Sequence, residues 1–514
     1  MITRKGIFVN TFFHFFGRMG SFASQSHRDH IIAKHTSMEY NVCRYSFHHR
    51  GLSHANDSGD YDMSYTKNSV HILTIEGYSS QGEGVGRLEG MAVFVKGGLR
   101  GETLRVALTK VDKRCAWARI VEVLTPSPAR VEPDCPHYKL CGGCSLRHMS
   151  YEEELAFKQQ RVDDALERIG GLSLRTEAIH GAADVFRYRN KAVFPVSADG
   201  KGGVNVGFFR QRSHQVVDVP SCLIQSPDAD RAARSVRRWM LERKVPPYDE
   251  SALSGLIRHV FVRTNRRGES LICVVANASS LPHDAELVRS LRKACPKAVG
   301  IVVNRNERDT NVILGQEYRT LWGRSWIEDR LCGLSFRLSV PSFFQVNRDQ
   351  AERLYNCALD FAALTGTETV VDLYCGTGTI SLVMARKAAK VIGAEIVAPA
   401  VENARENAKR NGFENSEFLC ADAGEAAQEL ARRGIRPDVV CVDPPRKGIS
   451  PQVIDAIETM APKRVVYVSC NPATLARDLK ILKERGYCGV RALAFDLFPR
   501  TSHVETVVLL TRNT

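Results

Sequence analysis

The sequence contains no hydrophobic run long enough to cross a membrane, and acidic residues do not balance the basic ones. Its 514 residues include 71 lysines and arginines against 57 aspartates and glutamates, a formal net charge of +14. A membrane-spanning helix needs roughly 20 consecutive apolar residues, so we expect no contact with a membrane. A basic chain of this length has room for about two to four domains and favours a polyanionic partner.

Cysteine is too sparse to form a disulfide scaffold. The 15 cysteines are an odd number, and Cys273 and Cys441 lie within apolar segments of strand character. Disulfide frameworks are typical of short secreted chains. We therefore expect a cytoplasmic protein in which any group of cysteines binds a metal or takes part in chemistry.

A glycine-rich turn lacks the third glycine of a pyrophosphate-binding loop. The segment VVDLYCGTGTI (370–380) predicts a buried strand, a turn with Gly376 and Gly378, and a helix. This is the first unit of a doubly wound α/β domain, in which a ligand approaches the turn and the helix N-terminus. Glu395 ends the next predicted strand, about 20 residues on, where a carboxylate can bind ribose hydroxyls. The pattern favours a nucleoside-type cofactor over a dinucleotide.

The second Cys-x-x-Cys pair of a typical structural zinc site is also missing. Cys135, Cys141 and Cys144 lie close together in sequence, with two glycines between the last pair, and Cys222 follows much later. Thiolates are ligands for zinc and for iron–sulfur clusters. One remote fourth cysteine favours a [4Fe–4S] cluster, and a zinc site or unligated thiols are the alternatives.

The chain divides into four segments by pattern. We expect a disordered extension over 1–62, with Met63 as an alternative start, and a small β-barrel over 63–126 with alternating apolar residues. A central segment (127–335) contains a predicted helix over 151–170 and strands over 186–196, 206–222 and 257–277. Residues 336–514 form the α/β domain. Basic side chains that can contact RNA phosphates lie in the barrel and in the central segment: Lys96, Arg100, Arg105, Lys110, Lys113, Arg114, Arg119, Arg187, Arg189, Lys191, Arg210, Arg212, Arg258, Arg263, Arg266 and Arg267.

Cys470 follows a predicted buried strand, in the polar turn Ser-Cys-Asn-Pro before a helix. A cysteine beside a strand is usually a small core residue. Here the polar turn and the helix N-terminus behind it favour a thiolate, as a nucleophile requires. Asp422 and Asp443 also end predicted strands, so we expect them at the same edge of the sheet.

Together, DLYCGTGTISL, DPPRKG, VSCNPATLARDL and HVETVVLL resemble the RNA uracil-5-methyltransferase family, and the resemblance runs from about residue 68 to the C-terminus. It implies a C-terminal Rossmann-like class I methyltransferase domain, an N-terminal OB-like TRAM barrel and a central α+β iron–sulfur domain. It also implies S-adenosylmethionine as cofactor and RNA as partner, with no obligate protein partner. We expect 23S ribosomal RNA as substrate, and transfer RNA stays open.

The resemblance assigns roles to individual residues. Cys470 is the nucleophile that adds to C6 of uracil, and Glu505 is the base that removes the C5 proton, for which burial would raise its pKa. The cluster ligands are Cys135, Cys141, Cys144 and Cys222. The cofactor contacts that it implies are Gln345, Tyr374, Thr379, Glu395, Asp422 and Asp443.

Two other interpretations are possible. Amino-methyltransferases acting on adenine or guanine also have a Asp-Pro-Pro motif, usually followed by an aromatic residue, whereas Arg446 follows here. They need no nucleophilic cysteine. An iron–sulfur RNA-binding protein without methyl transfer is the second alternative, and the presence of Cys470, Glu505 and Asp443 argues against it.

Overall fold

The computed structural model describes residues 65–512, which fold into two compact units divided after Arg130. The extension expected over 1–62 lies outside the described residues. Within residues 65–512, no helix is both long enough and apolar enough to span a bilayer.

The first unit is the predicted barrel. Its strands are β1 (Val70–Tyr78), β2 (Gly84–Leu88), β3 (Met91–Lys96), β4 (Thr103–Val111) and β5 (Cys115–Thr125). They close in the order β1-β2-β3-β5-β4. Inward-facing apolar side chains such as Ile75, Val93 and Leu104 fill the core. Gly86 lets β2 approach β1, because a Cβ atom there would lie 2.5 Å from the carbonyl oxygen of Thr74.

A buried carboxylate ties the barrel to the chain that leaves it. Glu102 is fully buried and accepts hydrogen bonds from the amides of Leu99 and Ser127. The guanidinium of Arg130 donates to both its oxygens, at 2.5 and 2.6 Å. Burial acts to raise the pKa of Glu102, but the hydrogen bonds from Arg130 and the amides outweigh it, and the pKa lies below its ordinary value.

The first part of the second unit, residues 151–323, contains a mostly antiparallel sheet that helices cover on one face. Its elements are α1 (Tyr151–Arg168), β6 (Ile179–His180), β7 (Lys191–Ala198), β8 (Val204–Phe209), β9 (Val216–Asp218), α2 (Pro227–Glu242), β10 (Ile257–Thr264), β11 (Ser270–Ala276), α3 (Asp284–Ala294), β12 (Ala298–Arg305) and β13 (Glu317–Gly323). Seven strands form a sheet in the order β13-β12-β11-β10-β7-β8-β9. One face packs on α2 and α3.

The rest of the second unit is the predicted α/β fold. Its elements are β14 (Trp326–Leu331), β15 (Leu334–Ser339), α4 (Arg348–Ala362), β16 (Thr369–Leu373), α5 (Thr379–Ala385), β17 (Lys390–Glu395), α6 (Ala398–Arg410), β18 (Ser416–Cys420), α7 (Ala423–Arg432), β19 (Val439–Val442), α8 (Pro451–Met460), β20 (Arg464–Ser469), α9 (Pro472–Glu484), β21 (Tyr487–Phe495) and β22 (Glu505–Arg512). The sheet order is β18-β17-β16-β19-β20-β22-β21-β6. β18, β17, β16, β19 and β20 run parallel, and β22 is antiparallel to both its neighbours.

The two sheets share one hydrophobic core. Phe261, Cys273 and Val302 of the seven-stranded sheet belong to the same buried cluster as Leu354 of α4 and Val383 of α5. β6 also extends the second sheet at its edge. Residues 131–512 pack as one compact unit. The boundary that we expect between residues 335 and 336 stays a prediction about how this unit is organised.

Two predicted strands are shorter than expected. The strand predicted over 186–196 begins only at Lys191, because Arg187 has a positive φ of 53° and pairs with Asp230 at 2.6 Å. The segment predicted as one strand over 206–222 forms two strands, β8 and β9.

Arg258 and Arg263, expected among the RNA contacts, are buried and donate to backbone carbonyls, including Arg263 to Ser342. These two arginines bind carbonyls of the fold and leave little of their surface exposed for contact with RNA phosphates.

We expect the substitution Glu102→Gln to destabilise the barrel by about 2–4 kcal/mol, because the guanidinium of Arg130 loses its ionic partner. Hydrogen exchange of barrel peptides in the full chain measures this. The folded pKa is lowered, so the advantage of the parent protein is complete above the unfolded pKa of about 4.3 and disappears as pH falls through the lower folded value. Glu122→Gln, at an exposed pair with Arg105, is the control, and equal exchange in both variants would contradict the prediction.

Candidate active site

The candidate site lies at the carboxyl ends of the parallel strands. β16 lies between β17 and β19, so the order of strands reverses there. In open α/β sheets, ligands bind in the crevice beside such a reversal. The turns that follow β16, β17 and β19 and the turn after β20 meet at this edge.

The glycine turn after β16 adopts left-handed conformations. Gly376 and Gly378 have φ of 56° and 82°, and Tyr374 has φ of 75°. A Cβ atom at Gly376 would have no neighbour within 4 Å, so the turn opens outward. Glu395 accepts hydrogen bonds from the amide of Gly376 at 3.1 Å and of Val397 at 2.9 Å. This acidic side chain is therefore fixed beside the turn.

The other expected cofactor residues surround the same turn. Asp422 caps α7 through the amide of Gly424 at 2.8 Å, and burial together with nearby Asp422 raises the pKa of Tyr374 to about 12. The hydroxyl of Thr379 lies 3.5 Å from that of Tyr355.

The segment that contains Gln345 reaches the turn from the other side. Thr377 of the turn donates to the carbonyl of Phe343 at 3.5 Å. Gln345 itself is buried, and its carbonyl accepts a hydrogen bond from Asn190 at 2.8 Å. The segment that contains Gln345 therefore contacts the glycine turn through Phe343 and Thr377.

Cys470 and Glu505 face each other across two antiparallel strands. Ser469 ends β20 and pairs with Thr506 of β22. The next residues in each direction are Cys470 and Glu505, so their Cα atoms are roughly 5 Å apart. Asp443 follows β19, the other neighbour of β20.

Burial and mutual repulsion govern the protonation of these groups. Burial and then Asp443 raise the pKa of Glu505 well above its ordinary value, which agrees with the expectation from its apolar strand. Burial and Asp372 raise the pKa of Asp443 to about 7. Burial, Glu505 and Asp443 raise the pKa of Cys470 to about 12. The hydrogen bond from the backbone at Cys470 acts to lower this pKa but does not outweigh burial, and the expectation that the following helix favours the thiolate stays a prediction.

Arg446 is a cation at this site, and the sequence pattern indicated no role for it. It acts to lower the pKa of both Cys470 and Glu505, against the effect of burial. Its Nη2 atom lies 3.5 Å from Nε2 of His503. Its place directly after Asp443-Pro-Pro was the available signal.

The four cysteines expected to bind a cluster are electrostatic neighbours. Burial raises the pKa of Cys144, and the thiols of Cys141 and Cys135 raise it further. Burial likewise raises the pKa of Cys222 to about 12, with a contribution from Cys144. However, no three or more His, Cys, Asp or Glu side chains in the described part of the chain form a group that could hold a metal ion. The metal site expected at these four cysteines, which include Cys141, is therefore not shown.

Comparisons with known proteins agree on the class of this chain. The family model tRNA (Uracil-5-)-methyltransferase matches residues 151–513, and the TRAM domain model matches residues 66–121. A protein of Clostridium tetani described as an uncharacterized RNA methyltransferase is 44% identical over 451 residues, which are 88% of this chain and 98% of that protein. A Halalkalibacterium halodurans protein with the same description is 43% identical over 446 residues, 86% and 97% of the two chains.

A solved structure gives the same fold with a ligand. The tRNA (uracil-54, C5)-methyltransferase of Pyrococcus abyssi in complex with S-adenosyl-L-homocysteine superposes with a TM-score of 0.69 and 27% identity, covering 86% of this chain and 100% of that one. The fold and the crevice define an S-adenosylmethionine-dependent RNA methyltransferase. Within that class, the chain belongs to the RNA uracil-5-methyltransferase family.

We expect the substitution Arg446→Met to slow alkylation of Cys470 by iodoacetamide about three- to tenfold at pH 8. Removing the cation raises the pKa of the thiol, and each pKa unit lowers the thiolate fraction about tenfold. Mass spectrometry of the peptide that contains Cys470 measures the rate. The neighbouring exposed substitution Lys447→Met is the control, and equal rates for both variants would show that Arg446 does not act on Cys470.

Proposed function

We propose that this protein methylates C5 of a uridine in RNA through a covalent bond between Cys470 and C6 of uracil. The observation that supports this is the register of β20 and β22, which sets the thiol of Cys470 opposite the carboxyl of Glu505. Residues opposite each other on antiparallel strands project from the same face of the sheet, and a nucleophile beside a base suits addition to a ring and later removal of a proton from it.

The reaction proceeds in three stages. The sulfur of Cys470 would bond to C6 and move electron density to C5. C5 would then bond to the methyl carbon of S-adenosylmethionine as the bond from that carbon to sulfur breaks and S-adenosylhomocysteine leaves. Glu505 then takes the proton from C5, the double bond between C5 and C6 forms again, and the sulfur leaves C6. The pKa of Cys470 is about 12 without substrate, so one of the neighbouring carboxylates must accept the thiol proton when C6 is attacked.

Burial of Glu505 prepares it for its role. A carboxylate in water is too weak a base for a carbon-bound proton, whereas one whose pKa is raised by burial and by Asp443 is stronger. Asp443 is placed to hold the edge of the uracil ring or the cofactor. The target base must leave its stack to reach Cys470, so we infer that it is flipped into the crevice.

The cofactor occupies the crevice beside the glycine turn. We assign the ribose to Glu395, the adenosyl group to Tyr374 and the adenine to Asp422. Gln345 lies near the methionine portion, and Thr379 supports the turn. The support for this assignment is that Glu395 already accepts the amide of Gly376 and keeps lone pairs for hydroxyl donors.

Ribosomal RNA is the substrate class that we favour, because the barrel and the cysteine set occur together in this chain. Transfer RNA is the alternative, since the Pyrococcus abyssi structure is described as a tRNA (uracil-54, C5)-methyltransferase. The two substrate classes can be distinguished by which RNA, ribosomal or transfer, forms a stable covalent complex with the protein.

We expect RNA containing 5-fluorouridine to form a stable covalent complex with the protein, because fluorine at C5 cannot leave as a proton does. Ribosomal and transfer RNA substituted in this way are incubated in parallel with S-adenosylmethionine and resolved by denaturing electrophoresis. Cys470→Ala abolishes the complex, and Cys420→Ala, at an exposed cysteine, retains it. Methyl transfer to uridine without any complex would exclude the covalent mechanism.

We further propose that Cys135, Cys141, Cys144 and Cys222 hold a [4Fe–4S] cluster. Besides their mutual repulsion, the support is Arg147, which is buried and lies beside Cys144. Its guanidinium acts to lower the pKa of Cys144 through its charge and a hydrogen bond, and a guanidinium beside a cysteine can also donate to anionic cluster sulfur. Methyl transfer needs no redox step, so the cluster would serve to order the segment around it.

We expect anaerobically purified protein to be brown and to contain about four iron atoms per chain. Cys222→Ser loses most of this iron because one ligand is gone, whereas Cys420→Ser keeps it. Elemental analysis and visible absorbance are the measurements. Zinc in place of iron, or neither metal, would refute the cluster.

A further inference from the structure

The loop over residues 496–504 leads directly to Glu505 and is held by groups that the mechanism does not use. Glu505 is the first residue of β22. Strand pairing therefore fixes the chain on its C-terminal side, and the loop fixes it on the other side. The same loop contains His503, which contacts Arg446 at the opposite side of the site.

A buried ion cluster anchors the start of the loop to α1. Lys158, Glu154 and Asp496 are all fully buried. The ammonium of Lys158 lies 2.7 Å from a carboxylate oxygen of each, and it donates to the carbonyl of Phe498 at 3.3 Å. The hydroxyl of Tyr151 donates to Asp496 at 2.8 Å. Because a buried charge without its partner is strongly unfavourable, these groups stay together.

Arg500 ties the middle of the loop to the cysteine segment, residues 135–149. Its carbonyl accepts hydrogen bonds from the amides of Ser145 at 2.9 Å and Leu146 at 3.1 Å, the two residues after Cys144. Its own amide donates to Glu154 at 2.7 Å. Its guanidinium donates to the carbonyl of Met149 at 3.3 Å.

The backbone of Arg500 is held in a conformation that a side chain disfavours. Its φ is 71°, a left-handed value that costs free energy for residues other than glycine. Only this conformation turns the carbonyl towards Ser145 while the amide points to Glu154. The contacts on both sides offset the strain, so the turn is specified by the cysteine segment and by α1 together.

Two further contacts secure the rest of the loop. The hydroxyl of Tyr188 donates to the carbonyl of Pro499 at 3.0 Å, and the guanidinium of Arg161 donates to the carbonyl of Ser502. Both donors come from parts of the chain more than 300 residues away in sequence. The loop before Glu505 is thus fixed by these contacts together with hydrogen bonds of its own, from the amide of Phe498 to Asp496 and from the hydroxyl of Thr501 to the carbonyl of Phe498.

We propose that Arg500 is a positioning residue that links the cysteine segment to Glu505, so that the order of this segment sets the place of the base. The proposal rests on the function proposed above. A displacement of Cys144 moves the amides of Ser145 and Leu146. Because these amides bind the carbonyl of Arg500, the loop that leads to Glu505 moves with them. The link is independent of what the cysteines bind.

The chemistry supplies a readout that a general structural role would not give. Addition of Cys470 to C6 and transfer of the methyl group both precede removal of the C5 proton. A displaced Glu505 therefore slows only the last stage, and a methylated covalent complex between Cys470 and ordinary RNA accumulates. General disruption of the fold would lower all three stages together.

The test compares Arg500→Val with Arg500→Gly on RNA without fluorine. Valine strongly disfavours the left-handed turn, whereas glycine adopts it freely. We expect Arg500→Val to accumulate at least tenfold more covalent methylated complex than the parent protein and to turn over at least tenfold more slowly. Arg500→Gly shows a smaller effect, because the carbonyl stays in place. Arg491→Val is the control, since Arg491 lies in β21 and valine suits a strand.

A second pair of variants approaches the link from the cysteine segment. Ser145→Pro removes the amide that donates to Arg500, and Ser145→Ala keeps it. We expect only Ser145→Pro to accumulate the complex. Binding of S-adenosylhomocysteine, measured by calorimetry, stays within about twofold of the parent value in every variant, because the glycine turn is untouched.

The outcomes separate the two proposals. If the parent protein fails to form a complex with 5-fluorouridine RNA, the proposed function falls. If it forms that complex but Arg500→Val and Ser145→Pro turn over as the parent does, the positioning role is refuted and the function stands. Variants that lose cofactor binding, complex and turnover together would show a general structural role and also refute the proposal.

Discussion

The arrangement of the active site depends on one antiparallel insertion in an otherwise parallel sheet. Parallel strands bring their carboxyl ends to one edge, so they can gather Glu395 and Asp443 there but no residue at a strand start. β22 enters between β20 and β21 in the opposite direction. Its first residue, Glu505, therefore arrives at the edge where β20 ends, opposite Cys470. Two residues 35 positions apart in the sequence become neighbours because the two strands run in opposite directions.

Burial at this edge determines the chemistry more than any single charge does. Asp372 and Glu505 are buried and Asp443 is half-buried, and each has a raised pKa. Such a group of carboxylates would be unfavourable in a purely structural role, because desolvation and mutual repulsion act together. Their presence together suits a site that moves protons near neutral pH. The same environment raises the pKa of Cys470, so the nucleophile becomes active only as its proton leaves.

Much of this arrangement could be predicted from the sequence. Strand, turn and helix around Gly376 follow a local pattern, and the barrel follows from alternation along 63–126. The raised pKa of Cys470 could not be predicted, because it depends on burial and then on Glu505 and Asp443, which only the tertiary fold brings near. The burial of Arg258 and Arg263 could not be predicted either, since the sequence does not distinguish an arginine on a surface from one that donates to buried carbonyls. Metal ligation by the four cysteines remains a prediction.

The contacts of Arg500 show why the cysteine segment and the catalytic edge belong to one compact unit. Lys158 and the amides of Ser145 and Leu146 reach the loop before Glu505 from residues that precede the seven-stranded sheet. A base that must hold its place without a direct hydrogen bond to the nucleophile needs a rigid loop. The buried ion cluster of Lys158, Glu154 and Asp496 supplies that rigidity, because separating its charges in the protein interior costs free energy. The helix α1 and the cysteine segment are therefore part of the catalytic framework, although neither contains a residue that reacts.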